Sequence, residues 1–142
     1  MKKIIVSIVF LISVVFIFKI IKEDESVNIQ NKQLSNTFLS KNIPIIDIRT
    51  KKEWKKTGIV KGSILLTFYD ENGKFNEDSF LKSLNNSFNK KSQFAILCRS
   101  GNRSNRVTRY LKSKGYINII NLAGGIKQGI KNKVSLVRFY EN

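Results

Sequence analysis

Short apolar runs and longer amphipathic ones alternate along most of this chain. Residues 94–97 (Phe94, Ala95, Ile96, Leu97) form an apolar run of strand length, and 117–122, isoleucine-rich with asparagines at 118 and 121, is predicted as another strand. Residues 43–48 are β-branched and mostly apolar, as expected of a strand covered on both faces. Two more short strands are predicted at 27–29 and 63–66. Residues 78–88 place Phe80, Leu81, Leu84 and Phe88 on one helical face, with Asp78 as the N-cap. In 105–114, Val107, Tyr110 and Leu111 have helical spacing and Gly115 ends the helix. A helix is predicted over 31–40, with Leu34, Phe38 and Leu39 as its apolar positions, and a short helical turn at 51–55 puts Trp54 in the core. Strands alternating with helices predict an α/β domain with a mainly parallel central sheet, helices on both faces, and ligands at the carboxyl ends of the strands. Residues 134–142 alternate weakly, and the pattern assigns them no role.

The first 25 residues follow another pattern. Residues 4–18 are apolar apart from Ser7 and Ser13, and Lys19-Ile20-Ile21-Lys22 follows. Counted through Ile21, this stretch is long enough to span a bilayer, with Lys19 snorkelling to the interface. No small-x-small cleavage site follows; Lys22-Glu23-Asp24-Glu25 makes an abrupt polar boundary. The expectation is an N-terminal hydrophobic helix in 1–25, acting as an uncleaved membrane anchor through residues 4–21, and one α/β domain over 26–142. Lys2 and Lys3 favour an inside N-terminus, which places the domain on the periplasmic side of a bacterial inner membrane. The alternative is a secreted or periplasmic domain after signal cleavage.

Composition narrows the chemistry. The chain of 142 residues has a formal net charge of +16, no histidine and one cysteine. Its lysines are scattered without a continuous basic block, which favours a solvated basic surface over a nucleic-acid face. Without histidine there is no Cys-His or Ser-His catalysis and no histidine-ligated metal. No metal or organic cofactor is implied.

That one cysteine opens the segment Cys98-Arg99-Ser100-Gly101-Asn102-Arg103-Ser104, between a predicted strand and a predicted helix. N–H groups at a helix N-terminus, the helix dipole and two guanidinium groups all favour a thiolate over a thiol. A cysteine so placed is expected to be reactive and to face an anion. The competing reading, a small buried hydrophobe, leaves Arg99 and Arg103 without purpose.

This loop resembles the active-site loop of the rhodanese (sulfurtransferase) family. Ile45-Ile46-Asp47-Ile48-Arg49 with Glu53-Trp54 is similar to that family's first long strand and its Asp-x-Arg and Glu-aromatic signature. Gly58 to Ile64 is similar to its Gly-His-Ile-x-Gly-Ala-x segment, with Ile59 in place of histidine. Asn121-Leu122-Ala123-Gly124-Gly125-Ile126 resembles its closing strand and Gly-Gly turn. The resemblance covers about 27–132. Gly129 stands where a tryptophan commonly follows, which suggests a looser pocket rim or a different acceptor.

The resemblance implies a rhodanese-like three-layer fold and a sulfurtransferase. Cys98 would take a sulfane sulfur from a small anionic donor such as thiosulfate and pass it, as a persulfide, to cyanide or a thiol. Arg99 and Arg103 would hold the donor's sulfonate, Arg103 the more so. Ser100, Gly101, Asn102 and Ser104 would shape the loop and offer N–H groups, with Ser104 also capping the next helix. Asp47 would lie near the active loop, where it orients the loop or its arginines; against this stands a structural ion pair, Arg49 with Glu53. A persulfide cycle would also suit a lone thiol in an oxidising compartment. Three alternatives stay open: a partner-dependent sulfur carrier served by a protein donor or acceptor, a cysteine phosphatase, and an arsenate reductase. The last two are disfavoured, because the phosphatase loop needs arginine at 104, where this chain has Ser104.

Overall fold

Two of the predicted apolar runs become strands buried along their whole length. In this computed structural model, which describes residues 29–141, β2 (Ile45–Asp47) and β5 (Phe94–Leu97) have every residue buried. They form the middle of a five-stranded sheet in the order β1-β6-β5-β2-β4, with β1 at Gln30–Gln33, β4 at Ile64–Leu65 and β6 at Ile119–Ala123. Every pairing in it is parallel. All strands therefore release the chain at the same edge, and Asp47, Cys98 and Gly124 emerge there side by side.

Side chains on these strands alternate between two cores, as the two-residue period requires. Ile46, Phe94 and Ile96 pack on one face with residues of α3 (Glu77–Asn85) and α4 (Asn102–Ser113). Ile45, Ala95, Leu97 and Leu122 pack on the other with Phe38 of α1 (Asn36–Leu39) and Ile126 of α5 (Gly125–Lys131). The three-layer expectation thus holds for the described residues. Among them no helix is long and apolar enough to cross a membrane. The hydrophobic helix expected within 1–25 lies outside the described residues, as does most of the strand expected at 27–29.

Several boundaries differ from the sequence expectation. Asn31, Lys32 and Gln33 belong to β1, so only Asn36–Leu39 of the 31–40 helix forms, capped by Ser35 Oγ accepting from Phe38 N–H (3.1 Å). All four β1 residues are exposed, and an edge strand that buries no side chain carries no apolar signal. Asn76, not Asp78, caps α3, accepting from Ser79 N–H at 2.9 Å. α4 begins at Asn102, which puts Ser104 inside its first turn; the cap position falls to Gly101, with φ +91° and no side-chain cap.

α2 (Lys51–Thr57) carries buried Trp54 and extends the predicted turn. The unassigned C-terminal segment closes over it. β7 (Leu136–Val137) pairs antiparallel with β3 (Ile59–Val60), Phe139 lies 5.5 Å from the Trp54 ring, and Glu141 pairs with Lys51 and Lys55. Gly129 is not at a pocket rim: a Cβ there would lie 2.4 Å from Leu34 Cδ2, so glycine lets α5 approach buried Leu34.

The expected Arg49–Glu53 pair does not form. Arg49 turns back onto Asp47, with Nε 2.9 Å and 3.0 Å from its two carboxylate oxygens and Nη2 2.7 Å from Oδ2. The same guanidinium donates to Thr57 Oγ1 (2.6 Å) and to the Gly58 carbonyl (2.9 Å), tying the end of β2 to the end of α2. Both residues are fully buried. Removing one partner of such a pair strands the other charge, at roughly 3–5 kcal/mol. Asp47→Ala is therefore expected to lose stability on that scale in urea unfolding, while Ile59→Val, in a half-buried two-residue strand, changes it far less.

Candidate active site

The loop after β5 is held from outside by α5. The carbonyls of Cys98 and Arg99 accept from the N–H groups of Ile126 (2.9 Å) and Lys127 (3.2 Å). In a trans peptide the C=O and the following N–H point in opposite directions. Pinning these two carbonyls to α5 therefore turns the N–H groups of Arg99 and Ser100 away from it. The contact is backbone against backbone. A Cβ on Gly125 (φ +58°) would lie 2.3 Å from the Cys98 carbonyl oxygen, and one on Gly101 would lie 2.6 Å from Gly124 N. Only glycine permits both the approach and the left-handed conformation at these positions.

Cys98 is fully buried at the centre of this arrangement. Its Sγ accepts from the N–H groups of Gly101 (3.1 Å) and Ser104 (3.3 Å), and Ser104 Oγ lies 3.4 Å away. The N–H groups of Arg99, Ser100, Asn102 and Arg103 meet no protein acceptor among the described residues. Two donors on the sulfur and four more in the same short loop make a nest for negative charge on the sulfur and on an atom bonded to it. The expectation that Ser100, Gly101, Asn102 and Ser104 shape the loop and supply N–H groups fits this geometry.

The two arginines diverge. Arg103 forks onto Glu53, with Nη1 2.9 Å from Oε2 and Nη2 2.5 Å from Oε1. Glu53 is aimed by a capping box: Thr50 Oγ1 accepts from Glu53 N–H, and the Glu53 carboxylate accepts from Thr50 N–H. Partial burial works against ionisation of Glu53. The hydrogen bonds from Arg103 and Thr50, with the Arg103 and Arg49 charges, outweigh it and hold the carboxyl below its ordinary value. The hydrogen bond it donates to Glu53 raises the Arg103 pKa in turn, against the opposing effect of burial.

Arg103 is thus largely neutralised, whereas Arg99 is exposed and forms no ion pair among the described residues. Arg99 borders both clefts at the loop. One is an open cleft of about 730 Å³ bounded also by Lys52, Tyr69, Glu71, Ser100 and Arg106; the other, of about 320 Å³, has Ile126 and Ile130 between Lys56 and Lys127. The Glu53 pair thus engages Arg103, the arginine expected to be the main anion holder, and leaves Arg99 the more available of the two. Asp47 sits at the strand end beside the loop, but its carboxylate serves Arg49 rather than the loop arginines.

Two contributors escaped the sequence reading. The Glu53–Arg103 pair spans distant segments, although Thr50-Lys51-Lys52-Glu53 is a legible capping box. Asn121 is a lone polar residue inside the apolar run Ile119-Ile120-Asn121-Leu122, and that interruption was the available signal. It is buried, and its Oδ1 accepts from Ser104 Oγ at 2.6 Å. Among the described residues no group of three His, Cys, Asp or Glu side chains is placed to hold a metal ion.

A cysteine cradled by loop N–H groups at the carboxyl edge of a parallel sheet defines a thiol-bearing α/β domain. The model of the rhodanese-like domain matches residues 30–132, and the chain belongs to that family. It is 31% identical over 106 residues to the uncharacterised protein RP600 of Rickettsia prowazekii, covering 72% of this chain and 84% of the relative. The fold is similar to that of a rhodanese-like domain protein from Staphylococcus aureus (TM-score 0.54, 24% identity, 79% of this chain and all of that one). A Rhodopseudomonas palustris protein described as a possible tyrosine phosphatase is similar too (TM-score 0.54, 18% identity, 80% and 89%).

The Glu53–Arg103 pair makes stability depend on pH in a defined sense. A carboxyl depressed in the folded state contributes stability that is complete above its unfolded value, near 4.5, and is lost as pH falls through the lower folded value. Glu53→Gln is expected to lower stability at neutral pH by roughly 0.5–1 kcal/mol, the range of a partly exposed pair. The difference should vanish in strong acid. Urea midpoints of the two proteins across that range check it; a gap independent of pH would contradict the pair's role.

Proposed function

We propose that this domain is a sulfurtransferase that carries sulfane sulfur on Cys98. The observation that carries the reading is the sulfur itself, with two N–H groups already on it and four in the same loop that meet no protein acceptor among the described residues. The Cys98 thiolate attacks the outer sulfur of thiosulfate. The bond between that sulfur and the sulfonate breaks, and sulfite departs with the electron pair. Negative charge then rests on the terminal persulfide sulfur, where the free N–H groups stabilise it as an oxyanion hole would. An acceptor, cyanide or a thiolate, attacks this terminal sulfur, forms thiocyanate or a new persulfide, and releases Cys98 as thiolate. Arg99 steers the donor's sulfonate, for which a planar guanidinium is well shaped.

The phosphatase reading is weaker. A phosphatase loop places arginine where this chain has Ser104, and Arg103, one position earlier, is engaged by Glu53. We also propose that residues 4–21 tether the domain to a bacterial inner membrane with its clefts on the periplasmic side. Its anionic donor and its acceptor, small molecules or a partner protein, would reach Cys98 there.

Incubating the full-length chain with thiosulfate, followed by intact-mass spectrometry and a thiocyanate assay, tests the sulfur chemistry. A one-sulfur adduct and turnover, both abolished in Cys98→Ser, are expected. An adduct without turnover would replace the enzyme by a partner-dependent carrier, and no adduct from thiosulfate or polysulfide would overturn the sulfur reading. Arg99→Ala should raise KM for thiosulfate about tenfold with kcat little changed, as loss of a charge-assisted contact made in both ground and transition states predicts. Arg103→Ala should act mainly through stability.

A further inference from the structure

The Ser104 hydroxyl has one proton and three acceptors within reach: Asn121 Oδ1 at 2.6 Å, the Gly101 carbonyl at 3.0 Å and Cys98 Sγ at 3.4 Å. Asn121 is the nearest. Its own amide donates to Asn31 Oδ1 at 2.7 Å across the β1–β6 pair, which fixes the oxygen toward Ser104. With the hydroxyl proton directed to Asn121, a lone pair of Ser104 Oγ faces the sulfur and can accept from the S–H. Asn121, Ser104 and Cys98 are all buried, so water does not relieve a mismatch among them.

We propose that Asn121 is a positioning residue for Cys98: by claiming the Ser104 proton it favours the resting thiol over the bare thiolate. When the thiol loses its proton to solvent, Ser104 must either keep a lone pair against the anion or turn and leave the buried Asn121 oxygen unpaired. The persulfide avoids this conflict. Its charge lies on the terminal sulfur among the free loop N–H groups, and Sγ, bonded to sulfur, needs no hydroxyl donor. The relay therefore holds the unloaded cysteine in its less oxidisable form while leaving the loaded form unpenalised. This rests on reading Cys98 as the sulfur carrier.

The charged groups around Cys98 lie elsewhere. They are Arg99 and Arg103, Lys52, Glu53 and Lys56 on α2, the Asp47–Arg49 pair at the end of β2, Lys127 on α5, and Asp70, Glu71 and Arg106 bordering the outer cleft. β1 and β6 bring only exposed Lys32. A substitution at Asn121 therefore changes the relay without changing these charges.

The test is the rate of iodoacetamide alkylation of Cys98 against pH in the full-length protein, which reads the thiolate without any sulfur donor. Asn121→Leu removes the nearest acceptor and leaves the Ser104 hydroxyl to the Gly101 carbonyl at 3.0 Å and the sulfur at 3.4 Å, of which the charged thiolate is the stronger acceptor. Its profile should move about one unit toward lower pH, a roughly tenfold larger thiolate fraction below the midpoint. Asn121→Val, the smaller apolar variant, should do the same if leucine fails to fold. Asn121→Asp keeps an acceptor for Ser104, and its midpoint should fall no lower than that of the wild type. In a Ser104→Ala background the effect of Asn121→Leu should disappear, because the coupling runs through the hydroxyl. A folded Asn121→Leu or Asn121→Val protein with an unmoved or raised midpoint overturns the proposal, as does an equal shift without Ser104. Failure of both thiosulfate and polysulfide to load Cys98 would instead refute the sulfurtransferase reading and leave these profiles interpretable.

Discussion

The site depends on the two hydrogen bonds that carry the carbonyls of Cys98 and Arg99 outward onto the N-terminus of α5. A loop at the end of a buried strand must satisfy its backbone groups, and its carbonyls and N–H groups compete for the same few partners. Assigning those carbonyls to α5 frees the opposite side of the loop to present only donors. The sulfur then lies where two N–H groups already reach it and others remain for a second atom. Gly101 and Gly125 are required because the assignment works only if the two backbones touch; a Cβ would intrude to 2.6 Å from Gly124 N at the first and to 2.3 Å from the Cys98 carbonyl oxygen at the second, while at Gly124 it would meet the Gln128 side chain at 2.6 Å.

Around that contact the charged groups divide into structural and functional sets. Asp47 and Arg49 are consumed by each other, by Thr57 and by Gly58, and their burial binds α2 to the sheet. The C-terminal segment holds α2 from the other side through Phe139 and Glu141. α2 thus becomes a fixed platform from which Glu53 neutralises Arg103. What remains at the mouth is Arg99, the loop guanidinium without an ion pair among the described residues, above a neutral donor-lined nest. This separation leaves a positive group at the mouth without holding a permanent counter-charge against the sulfur.

The basic surface follows the same logic at longer range. Scattered lysines with no block of like charge raise the local concentration of anions near the clefts without defining one partner. Lys52, Lys56 and Lys127 border the same openings as Arg99, so the general positive field and the specific guanidinium act on the same approach.

The sequence by itself determined the central strands, the amphipathic faces of α3 and α4, the core place of Trp54 and the position of Cys98 at a strand end. Each follows from local information: a buried strand or helix face writes its burial into consecutive residues, and a strand-to-helix junction places its loop. The seven-residue cysteine loop and the Gly-Gly turn were legible for the same reason, since backbone conformation restricts residue type. Only the tertiary structure decided that Asn31 to Gln33 form an exposed edge strand, that Arg49 answers Asp47, that Glu53 takes Arg103, that Gly129 makes room for Leu34, and that Asn121 reaches Ser104. These depend on which polar groups meet across distant segments. A charge or an amide has several partners of equal chemistry along the chain, no periodicity distinguishes them, and the choice is made by the packing of the sheet and its helices.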